Sequence, residues 1–310
     1  MHEGLDPEVR RLVERWEAKG IPEWHTLSVE SARALEDRLF SPESRPETVS
    51  VREFAIPGPR GPIPIRLYRP RDELARSTLV YYHGGGWVLG TLDSVESICL
   101  ELASRTGRLV VSVDYRLAPE HPFPAPLDDA AAALAWVSEN AASIGATLPV
   151  SVAGTSAGGN LAAAVALRAR EFDGPEIHRQ LLLYPITDHS SETGSYDDHA
   201  EGPLLTRSDM EWFWDSYLPS PVCGANPFAS VLRTPDPTGL PPATVLTCGF
   251  DPLRDEGIAY ADRLSEAGVP TTHLHYPGAV HGILSVTDEV ALAEEAMAEV
   301  VSALDGASER

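Results

Sequence analysis

Cysteine is scarce in this chain. Cys99, Cys223 and Cys248 are the only three among 310 residues, with no Cys-x-x-Cys spacing. That excludes a disulfide framework and marks them as ordinary thiols of a reducing compartment. Basic residues are few as well: 24 Lys and Arg face 46 Asp and Glu, a formal charge of −22. A surface of that sign repels phosphate backbones and anionic lipid heads, so neither nucleic acid nor membrane is expected as a partner. Long apolar runs are missing too. No stretch approaches the roughly 18 residues a spanning helix needs, and the first fifteen residues are charged throughout, unlike a signal peptide. These absences together predict a cytoplasmic location.

The remaining composition, 43% apolar over 310 residues, supports a sizeable core. At roughly 100–200 residues per domain, that length fits two domains or one α/β body carrying an insertion. The first forty residues read as two helices. Val9, Leu12, Val13 and Trp16 recur at three- and four-residue steps behind an Asp6-Pro7 start. Val29, Ala32, Leu35 and Leu39 follow Ser28 as a candidate cap, and a Ser- and Pro-rich break over 41–46 ends them. Segments 49–56 and 63–68, joined by a turn rich in Pro and Gly, read as an antiparallel pair at a sheet edge.

Short strand-like segments then recur at 78–82, 109–113, 150–153, 180–184, 243–248 and 272–276. Helix-length stretches lie between most of them, with a last one at about 287–304. Such alternation predicts an α/β fold with a mostly parallel central sheet flanked by helices. One connection breaks the rhythm. Nearly sixty residues separate the strand ending at Tyr184 from the next, more than a crossover requires. Within it, Thr206 with Asp209 resembles a capping box ahead of the aromatic-rich run 210–217. That helix either packs on the body's surface or joins the N-terminal pair in a helical cap whose apolar walls suit acyl chains. The cap reading divides the chain into N-terminal cap helices (1–48), a catalytic domain (49–187 and 226–310) and an inserted cap segment (188–225).

The densest chemical signal is Gly154-Thr155-Ser156-Ala157-Gly158, a Gly-x-Ser-x-Gly between a strand and an alanine-rich helix. In that context a sharp turn presents the serine at a helix N-terminus, where free N–H groups favour an oxyanion; the Ala157 N–H is one such donor. The alternative is a glycine turn with an incidental serine. A second element is His83-Gly84-Gly85-Gly86-Trp87 directly after a strand, where successive glycines let backbone N–H groups face a developing negative charge. His83 suits fixing this loop by hydrogen bonds better than acting as a base. A serine nucleophile needs a base oriented by a carboxylate, in chain order Ser, Asp or Glu, His. Asp251 lies just past the strand 243–248, whereas Asp255 fits the first turn of the next helix, where acids are favoured by the dipole alone. His281 sits in a glycine-flanked loop at the same sheet edge. His273 and His275 share one face of the last strand as packed or hydrogen-bonded residues, without a third ligand spaced to complete a zinc site.

Together, HGGGW at His83, VDYRLAPEHPFPAPLDD over 113–129, GTSAGGN at Gly154, DPLRDEG at Asp251 and HG at His281 resemble the hormone-sensitive-lipase-like (family IV) branch of bacterial carboxylesterases, in the α/β-hydrolase superfamily. The match runs from about Val49 to the C-terminus. The resemblance implies Ser156 as nucleophile, Asp251 as acid and His281 as base, with Gly85, Gly86 and Ala157 forming the oxyanion hole and His83 and Gly84 supporting the loop. It also implies hydrolysis of short- to medium-chain acyl esters, a homodimer through the last strand and helix, and no metal, nucleotide or flavin cofactor. Lactone or amide hydrolysis, or acyl transfer, would use the same triad; a receptor that has abandoned catalysis is the other alternative. The chain departs from many family members in having Thr155, where they have Asp before the nucleophile.

Overall fold

Strands that are apolar at nearly every position need cover on both faces, and the computed structural model, which describes residues 3–40, 47–71 and 77–305, supplies it. Eight strands form one sheet: β1 (Val49–Gly58), β2 (Gly61–Pro70), β3 (Thr78–Tyr82), β4 (Leu109–Val113), β5 (Val150–Thr155), β6 (Ile177–Leu183), β7 (Ala243–Phe250) and β8 (Thr271–Val280). Their order is β1-β2-β4-β3-β5-β6-β7-β8. The expected antiparallel hairpin β1–β2 forms one edge, and every pairing from β4 onward is parallel.

The helices are α1 (Pro7–Ala18), α2 (Val29–Phe40), α3 (Glu96–Thr106), α4 (Ala125–Glu139), α5 (Ala141–Ile144), α6 (Ala157–Glu171), α7 (Gly194–Asp198), α8 (Arg207–Tyr217), α9 (Arg254–Glu266) and α10 (Ala291–Asp305). Alternate residues of each strand feed two separate cores. Val80 and Tyr82 pack with α4, α6, α8 and α9, while Leu79 and Tyr81 pack with α1, α3 and α10. No helix among the described residues is long and apolar enough to cross a membrane.

Local signals placed several ends correctly. Asp6 caps α1 by accepting from the Glu8 and Val9 N–H groups, and the Thr206–Asp209 capping box starts α8 with both of its reciprocal bonds. Other boundaries moved. The helix-length stretch between β4 and β5 splits at Asn140 into α4 and α5. The stretch near 287 is a 3₁₀ turn (Ile283–Val286), with α10 starting only at Ala291. β8 runs on through Pro277 and Gly278, with an irregular register against β7. A proline is tolerated there because β8 is an edge strand. The expected break at 41–46 lies outside the described residues.

Candidate active site

Turning a parallel strand into a helix without clash explains the glycines around Ser156. Ser156 follows β5 and caps α6 with φ 55° and ψ −118°, a strained left-handed backbone for a residue with a Cβ. Its N–H donates to the Leu183 carbonyl, and its own carbonyl accepts from Asn160 and Ile186. The hydroxyl makes no capping bond to the helix. A Cβ on Gly154 would lie 2.2 Å from the Gly158 backbone, and one on Gly158 only 2.0 Å from the Tyr82 carbonyl oxygen. Both obstacles are backbone within the central sheet and the first turn of α6, so neither can yield cheaply. Gly158→Ala is therefore expected to cost about 3 kcal/mol or more of stability, read as a drop in the urea midpoint at unchanged m-value; an unchanged midpoint would show that the turn has slack.

The glycine loop after β3 comes up beside this turn. Gly85 and Gly86 have φ of 97° and 58°, and a Cβ on Gly86 would meet the Phe213 ring of α8 at 2.1 Å. Trp87 stacks flat on Tyr217, centroids 4.0 Å apart, and packs on Trp214 at 4.6 Å. The aromatic run of α8 thus divides its work. Met210 and Phe213 line the cavity beside Ser156, while Trp214 and Tyr217 clamp the root of the glycine loop.

His83 is fully buried at the start of that loop. Its Nδ1 is 2.8 Å from the Gly84 carbonyl oxygen, its ring stacks on Tyr115 at 4.1 Å, and the Tyr115 hydroxyl donates to the His83 carbonyl. Burial pushes its pKa down to about 4, so the ring is neutral at physiological pH and Nδ1 carries the proton it donates to Gly84. The 116–120 stretch braces the same loop. The Ala118 N–H donates to the Trp87 carbonyl, and Arg33 from α2 donates to the carbonyls of Val88 and Ala118 while pairing with Glu120. Arg116 is held to buried Asp129 by a two-pronged ion pair. No local pattern in the sequence announces Arg33 in this role, because its partners lie more than fifty residues away.

The two candidate carboxylates keep different partners. Asp251, 1% exposed, places Oδ2 2.7 Å from His281 Nδ1, while its Oδ1 accepts from the Leu253 N–H. Asp255 instead accepts from the Ser195 N–H and pairs with Arg254. His273 and His275 both hydrogen-bond the Thr247 hydroxyl at 2.8 Å, the bonded role expected of them. Thr155 is buried and accepts from the Tyr81 hydroxyl at 3.2 Å, so it spends its side chain inward, on the sheet.

Ser156, His281 and Gly84 to Gly86 open onto one cavity of about 170 Å³. Leu12, Trp16, Trp24 and Phe40 from the N-terminal segment and Leu204, Leu205, Met210 and Phe213 from the insertion complete its walls. The N-terminal segment is not detached from the body, however: Val9, Leu12 and Val13 of α1 belong to the core shared with α3 and α10. Among the lining residues that carried no signal in the sequence reading are Tyr184, whose ring stands edge-on to His281 at 4.9 Å, and Glu36. A wider recess of about 500 Å³, lined by Arg60, Asp114 and Arg116 among others, contains none of the residues named for catalysis.

This arrangement can be set against known proteins. Residues 79–285 match the family described as the alpha/beta hydrolase fold. Carboxylic ester hydrolase LipN of Mycobacterium tuberculosis is 46% identical over 246 residues, 77% of this chain and 65% of LipN. Carboxylesterase NlhH of the same species is 41% identical over 285 residues, 89% of this chain and 88% of its own. An ester hydrolase from the Lake Arreo metagenome, solved with a derivative of bipyridine phosphonate, superposes with a TM-score of 0.91 at 42% identity, over 97% of this chain and 98% of that one. The order of strands, the strained serine turn and the braced glycine loop thus come with extensive identity to ester hydrolases, and the chain belongs to the carboxylesterases of the α/β-hydrolase superfamily.

Proposed function

We propose that this carboxylesterase works through Ser156, His281 and Asp251 and prefers short- to medium-chain acyl esters. The observation that carries the reading is the 2.7 Å Asp251–His281 bond, with His281, Ser156 and the glycine loop sharing one cavity. His281 Nδ1 donates to Asp251, which leaves Nε2 unprotonated and able to take the proton of Ser156 as its Oγ attacks the ester carbonyl. The N–H groups of Gly85, Gly86 and Ala157 stabilise the oxyanion as it forms. His281 then returns the proton to the leaving alcohol, and water repeats the sequence on the acyl-enzyme to release the acid. Asp251 orients the His281 ring and supports the imidazolium that forms.

The chain-length preference rests on size. About 170 Å³ falls below the roughly 300–1,000 Å³ of pockets that take drug-sized ligands, and apolar side chains from both capping pieces line it. Hydrolysis of p-nitrophenyl esters from acetate to dodecanoate checks this, with kcat/KM expected to peak between about four and eight carbons and to fall at least tenfold by dodecanoate. A fluorophosphonate probe should label wild type and leave Ser156→Ala unlabelled. An unlabelled wild type would instead favour a binding protein that has lost the chemistry.

A further inference from the structure

Glu36 is out of keeping with the wall it stands in. It lies on α2 four residues beyond Ala32, on the same inward face, and is 6% exposed. The cavity around it is largely apolar, with Leu12, Trp16, Phe40, Leu89 and Ile98 nearby in the lining. Burial pushes its carboxyl up to about 7, against the Ser94 hydroxyl and Gly90 N–H, which favour the charged form, and with Asp37, which opposes it. Its Oε2 makes no hydrogen bond within the protein. Leaving a buried oxygen unmatched is costly, and a plain acyl chain would be better met by leucine or methionine at this position.

We propose that Glu36, with Ser94 beside it, determines specificity by binding a hydroxyl group of the substrate, so that the preferred esters carry a hydroxyl on the chain that enters the cavity. A hydroxyl fits both forms of the acid, donating to the carboxylate and accepting from the neutral carboxyl. An ammonium group would require the charged form, which burial disfavours, and the lining residues include no Lys or Arg to pair a carboxylate permanently. Ser94 also lines the cavity; its hydroxyl accepts from the Thr91 N–H, and its single proton is shared between the Thr91 carbonyl and Glu36. The inference rests on the esterase reading of this same cavity.

The test compares esters differing by one hydroxyl: ethyl 3-hydroxybutyrate with ethyl butyrate, ethyl 6-hydroxyhexanoate with ethyl hexanoate, and 4-hydroxybutyl butyrate with butyl butyrate, followed by pH-stat. In wild type at least one hydroxylated member should be preferred about tenfold in kcat/KM. Glu36→Leu should abolish that preference, read as the ratio of kcat/KM within each pair of esters, and Glu36→Gln, which keeps a donor and an acceptor, should retain part of it. No preference in any wild-type pair, a preference that survives in Glu36→Leu, or faster turnover of ethyl 6-aminohexanoate than of its hydroxy counterpart would overturn the proposal. The wild-type comparison needs no variant to fold. Failure of the esterase reading looks different, since wild type would then hydrolyse none of the six esters.

Discussion

Ser156→Ala is expected to lower kcat/KM for p-nitrophenyl butyrate by on the order of 10⁵-fold and to leave the melting temperature within a few degrees of wild type. The expected loss is this large because a triad of the kind proposed acts as one unit: without Oγ the base would have nothing to activate, and only the proposed oxyanion N–H groups and substrate binding would remain. The stability expectation comes from the turn. The Ser156 backbone is held by bonds to Leu183, Asn160 and Ile186 that do not involve the hydroxyl, and its φ of 55° strains alanine as much as serine. Glycine differs here. Strain of this kind costs about 1–3 kcal/mol, against roughly 0.5–1 kcal/mol for the added freedom of glycine in the unfolded chain. Ser156→Gly is therefore expected to be as inactive as Ser156→Ala and at least as stable. Turnover above a few per cent of wild type in either variant would remove Ser156 from the mechanism.

Asp251→Asn is expected to lower kcat by about 10⁴-fold with little change in KM. The size follows from hydrogen-bond directions around the carboxylate. Oδ1 accepts from the Leu253 N–H and Oδ2 from His281 Nδ1–H. An asparagine has one acceptor oxygen for these two donors. Keeping it on the backbone N–H turns the amide NH₂ toward His281, which stabilises the tautomer protonated on Nε2, the nitrogen that must be free to deprotonate Ser156. Asp255→Asn supplies the contrast: that carboxylate bonds Ser195 and Arg254, so its loss should change kcat only a few-fold. Equal losses from the two variants would contradict the assignment of roles.

Those two aspartates also mark where the sequence ceased to be decisive. Strand-and-turn patterning put both next to the carboxyl end of β7, one just past it and one in the first turn of α9, and local preference weighs them without measuring the distance to His281. That distance depends on the register of β7 against β8, including the irregularity near Gly249 and on β8 continuing through Pro277, which its composition did not suggest. The aromatic run 210–217 behaved similarly. Its cap and helical period were legible, but which rings face the cavity and which clamp Trp87 is set by how α8 meets a loop more than a hundred residues earlier.

What the sequence determined by itself is short-range. The chain's acidity, its alternation of strand and helix, the glycine spacing that lets a serine turn from strand to helix, and the three-glycine loop all depend on residues within a few positions of one another, where sterics and capping act. Tertiary structure decided what joins distant segments: the hydrogen bond from His281 to Asp251 rather than Asp255, the neutral His83 buried against Tyr115, Arg33 bridging α2 to the loops that carry the glycines, and Glu36 facing the serine's cavity. The reason is physical. Burial and hydrogen-bond partnership belong to the packed molecule, and a helix stripe read along the chain does not say which of its polar neighbours will be turned inward with it.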